Sequence, residues 1–126
     1  IPVGPGPHGN RVVYPVTGGT FKGPSINGTV LPVGADFGLI DPKTNVFAAN
    51  VRYQIRTSDG ADIQVTGGGP QQPGGKVHIH LAFETGSDKY YYLNNIKTVA
   101  VVTVGNGGAY VFVKSWKLES PRAAKE

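Results

Sequence analysis

Between Val46 and Thr57 an apolar start, Val46 to Ala49, runs into strict alternation of apolar and polar residues from Ala49 to Arg56. In an extended strand successive side chains point to opposite sides, so Phe47, Ala49, Val51, Tyr53 and Ile55 share one face and Asn50, Arg52, Gln54 and Arg56 the other. Shorter apolar or alternating runs recur at Arg11 to Pro15, Gly19 to Phe21, Gly28 to Leu31, Phe37 to Ile40, Ala61 to Thr66, Val77 to Glu84, Lys97 to Val104 and Ala109 to Leu118. Many short strands at this spacing predict an all-β chain, either a sandwich or a single antiparallel β-barrel of about 8–10 strands, with the barrel as the working expectation. Only Asp88 to Ile96 breaks the alternation, and a single helical turn is expected there. The alternation does not orient the long strand: its polar face meets water in an open sheet and can line the lumen in a ligand-holding barrel.

The joints carry turn chemistry. Asp41-Pro42-Lys43-Thr44-Asn45, Ser58-Asp59-Gly60 and Gly105-Asn106-Gly107-Gly108 supply residues that tolerate positive φ and so predict three hairpins. Gly67 to Gly75, rich in Gly and Pro, reads as the longest loop of the barrel and as a mouth or lid. Residues 1–10 hold three Pro and three Gly without periodicity and predict an extended arm. Residues 11–119 form the barrel domain in this reading, and residues 120–126 a frayed tail.

Composition narrows the function classes. The chain has 126 residues and no stretch distinct enough to found a second core, which argues for one domain. Its 19 Gly and 10 Pro punctuate apolar runs instead of forming a low-complexity block. The 12 Lys and Arg, for a net charge of +4, are scattered singly, without the basic run or aromatic interleaving of a nucleic-acid groove. No stretch is apolar enough for a helical membrane span, and the absence of cysteine excludes disulfides and thiol catalysis. Ile1 in place of Met and the sequon Asn27-Gly28-Thr29 leave secretion and a cytoplasmic location equally open.

Two constellations carry chemistry. In His78-Ile79-His80-Leu81-Ala82-Phe83-Glu84, period two puts His78, His80 and Glu84 on one face, a donor set that suits a divalent transition metal and resembles the first motif of the cupins. No histidine follows His80, and the flanking glycines are misplaced for that motif, so a metal-free reading stands beside it, in which either imidazole serves as a general base. Asp36 sits where the chain turns into a strand. If it points inward, burial raises its pKa and makes it a proton acceptor, unless Arg52 pairs with it. Tyr53, Tyr90, Tyr92, Asn94 and Trp116 offer aromatic surface and polar tips for a planar or phenolic ligand. Thr57 and Asp59 suit a hairpin better than a catalytic dyad.

The elements Gly18-Gly19-Thr20-Phe21, Gly34-Ala35-Asp36-Phe37, Val51-Arg52-Tyr53, Thr57-Ser58-Asp59-Gly60 and Phe83-Glu84-Thr85-Gly86 resemble the family called domain of unknown function 3237, over Thr17 to Leu118. Phe37 stands where that family usually has Trp. The resemblance implies a small β-barrel, and isomerase or cyclase roles in natural-product pathways are suggested for similar proteins.

These readings converge on a barrel that binds a small apolar or aromatic organic molecule and performs cofactor-independent isomerisation, cyclisation or dehydration. Asp36, Arg52, His78, His80 and Glu84 are the catalytic candidates. A non-catalytic carrier with the same pocket and a metal-dependent enzyme built on His78, His80 and Glu84 are the alternatives. No phosphate loop, nucleophile elbow or dinucleotide crossover is present. An outward-turned Phe47, Val51 and Ile55 would favour a homo-oligomer.

Overall fold

A computed structural model describes residues 1–121. Nine antiparallel strands occur among them: β1 (Pro2–Gly6), β2 (Gly9–Pro15), β3 (Gly19–Lys22), β4 (Asn27–Ile40), β5 (Phe47–Thr57), β6 (Asp62–Pro70), β7 (Val77–Glu84), β8 (Lys97–Gly105) and β9 (Tyr110–Lys117). One turn of 3-10 helix, Tyr91–Asn95, falls inside the segment where the alternation fails. All strands join one sheet in the order β1-β2-β4-β5-β6-β7-β8-β9, and β3 also pairs with β4. No ladder joins β9 to β1 or β3 among the described residues. The three predicted hairpins fall at the β4–β5, β5–β6 and β8–β9 joints.

The odd face of β5 is the inner one. Ala49 and Ile55 are buried in the core, and Phe47, Val51 and Tyr53 pack against it. One cluster runs from Phe21, Ile26 and Val30 on the β3–β4 side through Ile63, Val65, Ile79 and Leu81 to Ala100 and Val102 on β8, so the sheet curls around a shared interior. Tyr90 and Leu93 of the 3-10 segment close one end of it. Phe47, Val51 and Ile55 therefore supply no outward apolar face for a partner. Exposed apolar side chains occur on several segments and are continuous along β9, where all eight residues are exposed, including Phe112 at 64 % and Trp116 at 48 %.

Residues 1–10 are extended, and Pro2–Gly6 pairs with β2 in a hairpin, while the Ile1 ammonium donates to the Val13 carbonyl at 2.6 Å. One other expectation is corrected. The segment Gly67 to Gly75 is not one loop, because Gly67, Gly68, Gly69 and Pro70 continue β6. A side chain at Gly67 or Gly69 would run into the carbonyls of His80 or His78, so glycine here marks close strand approach, not a turn. The expected frayed tail lies mostly in residues 122–126, outside the described residues.

β4 carries a bulge that matters for the site. Val30 pairs with Ile55 and Gly34 with Tyr53, so β4 advances four residues where β5 advances two. Gly34 takes φ +97°, and any Cβ there would meet the Arg52 carbonyl, which accounts for glycine before Ala35 and Asp36.

Candidate functional site

Asp36 lies on the inner face, and the bulge sets which residues it meets there. Residues opposite each other in an antiparallel ladder share a side, and Asp36 pairs with inward Val51 on β5 and with Tyr14 on β2. The rings of Tyr14 and Phe47 meet edge-on with centroids 6.1 Å apart. Phe47 lies over Gly38, whose missing side chain leaves room for the ring. Tyr53 sits opposite Gly34, one diagonal step from Asp36, at a spacing typical of about 7–8 Å. Tyr14, Asp36, Phe47 and Tyr53 thus share one stretch of the inner side of the sheet.

Electrostatics single out the same two residues. Burial pushes the Asp36 carboxyl above its ordinary value, opposed in part by a hydrogen bond from the Asn50 amide to Oδ1 at 2.9 Å. Burial also pushes the Tyr53 phenol up. A carboxylate made more basic beside a phenol kept neutral is a base with a proton donor near it.

The other candidates are dispersed. Arg52 pairs with Ala35 on the outer face and is exposed, so it does not hold Asp36. His78, His80 and Glu84 alternate outward against buried Val77, Ile79 and Leu81. Along one strand, six residues separate His78 from Glu84 by about 20 Å. A single ion cannot bridge that span, and among the described residues no three His, Asp or Glu side chains gather as a metal site. Tyr90 is buried in the core, Tyr92 is exposed, and Trp116 lies on the outer side of β9 opposite Val99. Asn94 is a structural clasp: its Oδ1 accepts from the Thr85 amide at 2.9 Å, and its Nδ2 donates to the carbonyls of Thr85 and Tyr91.

Surface hollows occur elsewhere. One of about 500 Å³ is lined by Asp59, Asp62, Lys89 and Tyr90, and one of about 630 Å³ by Gln54, Gln64, Glu84 and Tyr91. In the first, Asp59 accepts from Lys89 at 2.7 Å, from the Thr57 hydroxyl at 2.5 Å and from the Tyr90 hydroxyl at 3.0 Å. The Lys89 hydrogen bond, followed by that of Thr57, holds the Asp59 carboxyl far below the usual range, which makes it a poor base. This network ties the β5–β6 hairpin to the segment after β7, and Thr57 and Asp59 are structural. Volume alone therefore does not mark the chemistry, and the desolvated carboxylate at Asp36 is the better guide. Arg11, whose Nη1 donates to the Phe37 carbonyl at 2.9 Å, escaped the sequence reading because an isolated arginine in a strand has no local signature.

Fold and site together define an antiparallel β-barrel-like protein with a partly desolvated carboxylate on the inner side of its sheet. The profile of the family described as "protein of unknown function (DUF3237)" matches residues 1–78, and the chain belongs to that family. It is 31% identical over 109 residues to the hydroalkoxylation enzyme phnH of Penicillium herquei, covering 86% of this chain and 67% of that protein. It is 41% identical over 61 residues to a UPF0311 protein of Rhodopseudomonas palustris strain TIE-1, which covers 48% of this chain and only 39% of that protein. A β-barrel-like protein from Acinetobacter baumannii superposes with TM-score 0.84 at 28% identity, covering 94% of this chain and 85% of that one. An enzyme from Penicillium herquei superposes with TM-score 0.71 at 30% identity, covering 87% and 76%.

Proposed function

We propose that the chain is a cofactor-independent cyclase of the hydroalkoxylation type, adding a hydroxyl across a carbon–carbon double bond of a small, largely apolar or phenolic molecule held at the interior mouth. The observation that carries this reading is Asp36, a partly desolvated carboxylate on the inner side of the sheet among Tyr14, Phe47 and Tyr53. Likeness to a hydroalkoxylation enzyme supports the reaction class.

Asp36 takes the substrate hydroxyl proton as the oxygen attacks one alkene carbon and the C–O bond forms. The Tyr53 phenol gives a proton to the other alkene carbon, and the proton on Asp36 then returns to the tyrosinate, leaving the protein unchanged. Ring closure within one molecule needs no second reactant, so apolar walls that hold the chain folded supply much of the acceleration.

The test is a panel of hydroxy-alkenes, phenolic and aliphatic, followed by NMR for conversion of the alkene to a cyclic ether. Wild-type protein should close at least one member, and Asp36→Asn should lower the rate by about 10²–10⁴-fold while leaving binding within a few-fold. His78→Gln and His80→Gln should retain activity. Binding without turnover in the wild type would identify a carrier instead.

A further inference from the structure

The Asn50 amide has two acceptors within its reach. The β4–β5 ladder pairs Asp36 with Val51 and Leu39 with Ala48, in a single register that sets Phe37 opposite Asn50. That intervening pair is not made, nor is Gly38 with Ala49. Side chains take over the groups involved: the Asn50 amide donates to Asp36 Oδ1, and the Phe37 carbonyl accepts from Arg11 Nη1, both at 2.9 Å. Arg11 reaches Phe37 from β2, where it pairs with Leu39 on the face opposite Asp36.

We propose that Arg11 is a positioning residue for Asp36: by occupying the Phe37 carbonyl, it leaves the Asn50 amide to the carboxylate and keeps this stretch of the ladder open. This rests on the reading of Asp36 as the acid–base group. A carbonyl that has lost its guanidinium partner is an unsatisfied acceptor in register with a donor, and it will capture that donor to restore the ladder pair. The carboxylate then loses a hydrogen bond to its charged form and swings free. Arg11 thereby acts on the base from outside the sheet without touching substrate. The groups facing Asp36 from its neighbours are the Tyr14 phenol on β2 and Val51 and the Tyr53 phenol on β5, so no other formal charge competes at these positions.

The test is a pH titration by NMR of the whole protein, following the Asp36 carboxyl carbon and the Asn50 amide, in wild type, Arg11→Leu, Arg11→Lys and Arg11→Gln. In the wild type the Asn50 amide shift should track the Asp36 titration. In Arg11→Leu the Asp36 midpoint should rise by about one pH unit and the Asn50 amide should lose its pH dependence. Arg11→Lys and Arg11→Gln, which keep a donor, should each retain part of the wild-type behaviour. An unchanged midpoint and an amide that still tracks Asp36 in Arg11→Leu would overturn the proposal. So would an effect that follows the charge, with Lys like wild type and Gln like Leu while the amide keeps tracking. Should Arg11→Leu fail to fold, the Lys and Gln variants decide. The outcome is separate from the reaction itself: if Asp36→Asn still closes rings, the assignment of the base falls and the titration result stands.

Discussion

Gly38 lies directly beneath the ring of Phe47: a Cβ built on Gly38 would contact the ring edge and sit 2.7 Å from Cζ. Two residues on neighbouring strands therefore share one side-chain volume, and the aromatic wall of the mouth exists because its neighbour has no side chain. Gly38→Ala should displace the ring toward Tyr14, against which it packs edge-on. The expected cost is about 1–3 kcal/mol in urea unfolding, as for overpacking elsewhere. Gly38→Ala with Phe47→Leu should recover part of it. A single variant as stable as wild type would show that the ring has another place to go.

Burial of Asp36 costs stability at neutral pH. Its carboxyl is raised above the ordinary value by burial, so the folded state binds the proton more tightly than the unfolded chain. The sign follows: its contribution is fully present below the unfolded pKa near 3.8 and is lost as pH rises through the folded value. Asp36→Asn keeps an oxygen for the Asn50 amide and removes the charge. It should melt higher than wild type at neutral pH, with the difference shrinking on acidification. Equal melting temperatures across the range would mean that the carboxylate is well solvated.

The network around Asp59 responds to pH in the opposite direction. Lys89, Thr57 and Tyr90 all donate to its carboxylate, which is held below the usual range. Its stabilisation is present above the ordinary carboxylate pKa and fades as pH falls below it. Asp59→Asn or Tyr90→Phe should loosen the β5–β6 hairpin, seen as faster amide exchange at Gly60 and Ala61 than in wild type. Unchanged exchange at neutral pH would count against the network as a tie between these segments.

The strands and hairpins were legible because Asn, Asp and Gly at the joints and period-two alternation between them are local signals. β6 was cut short for the same reason: Gly67, Gly68 and Gly69 look like a loop locally, while their role is to admit the carbonyls of neighbouring strands. Asp36 was legible as a candidate through its motif, while its partners across the sheet are set by a two-residue excess in β4 visible only in the ladder. The outward aim of His78, His80 and Glu84 was half legible. Alternation puts them together on a face, and the burial of Ile79 and Leu81 decides which. Arg11 and Asn50 act through backbone groups across strands, and no sequence pattern reports that.

Among the described residues, β9 forms one edge of the sheet, and all eight of its residues are exposed. The opposite edge of the sheet is a five-residue strand whose Pro2 and Pro5 offer no amide, a familiar way of blocking further pairing. β9 has eight residues, no proline, and large apolar side chains on both sides: Phe112 and Trp116 on one, Val111 and Val113, opposite Val104 and Val102, on the other. Lys114 and Lys117 are its only charges, and Lys114 lies over the Trp116 ring with Nζ 5.7 Å from its centre. Among the described residues no strand pairs with the outer side of β9, and an edge of this kind templates another strand, so this 126-residue chain should self-associate as concentration rises. Val113→Lys puts a charge at mid-strand and should suppress that association without disturbing the buried core. Sedimentation velocity across a concentration series decides it. A wild-type chain that stays monomeric at every concentration would show that β9 protects its own edge, through twist or through its two lysines.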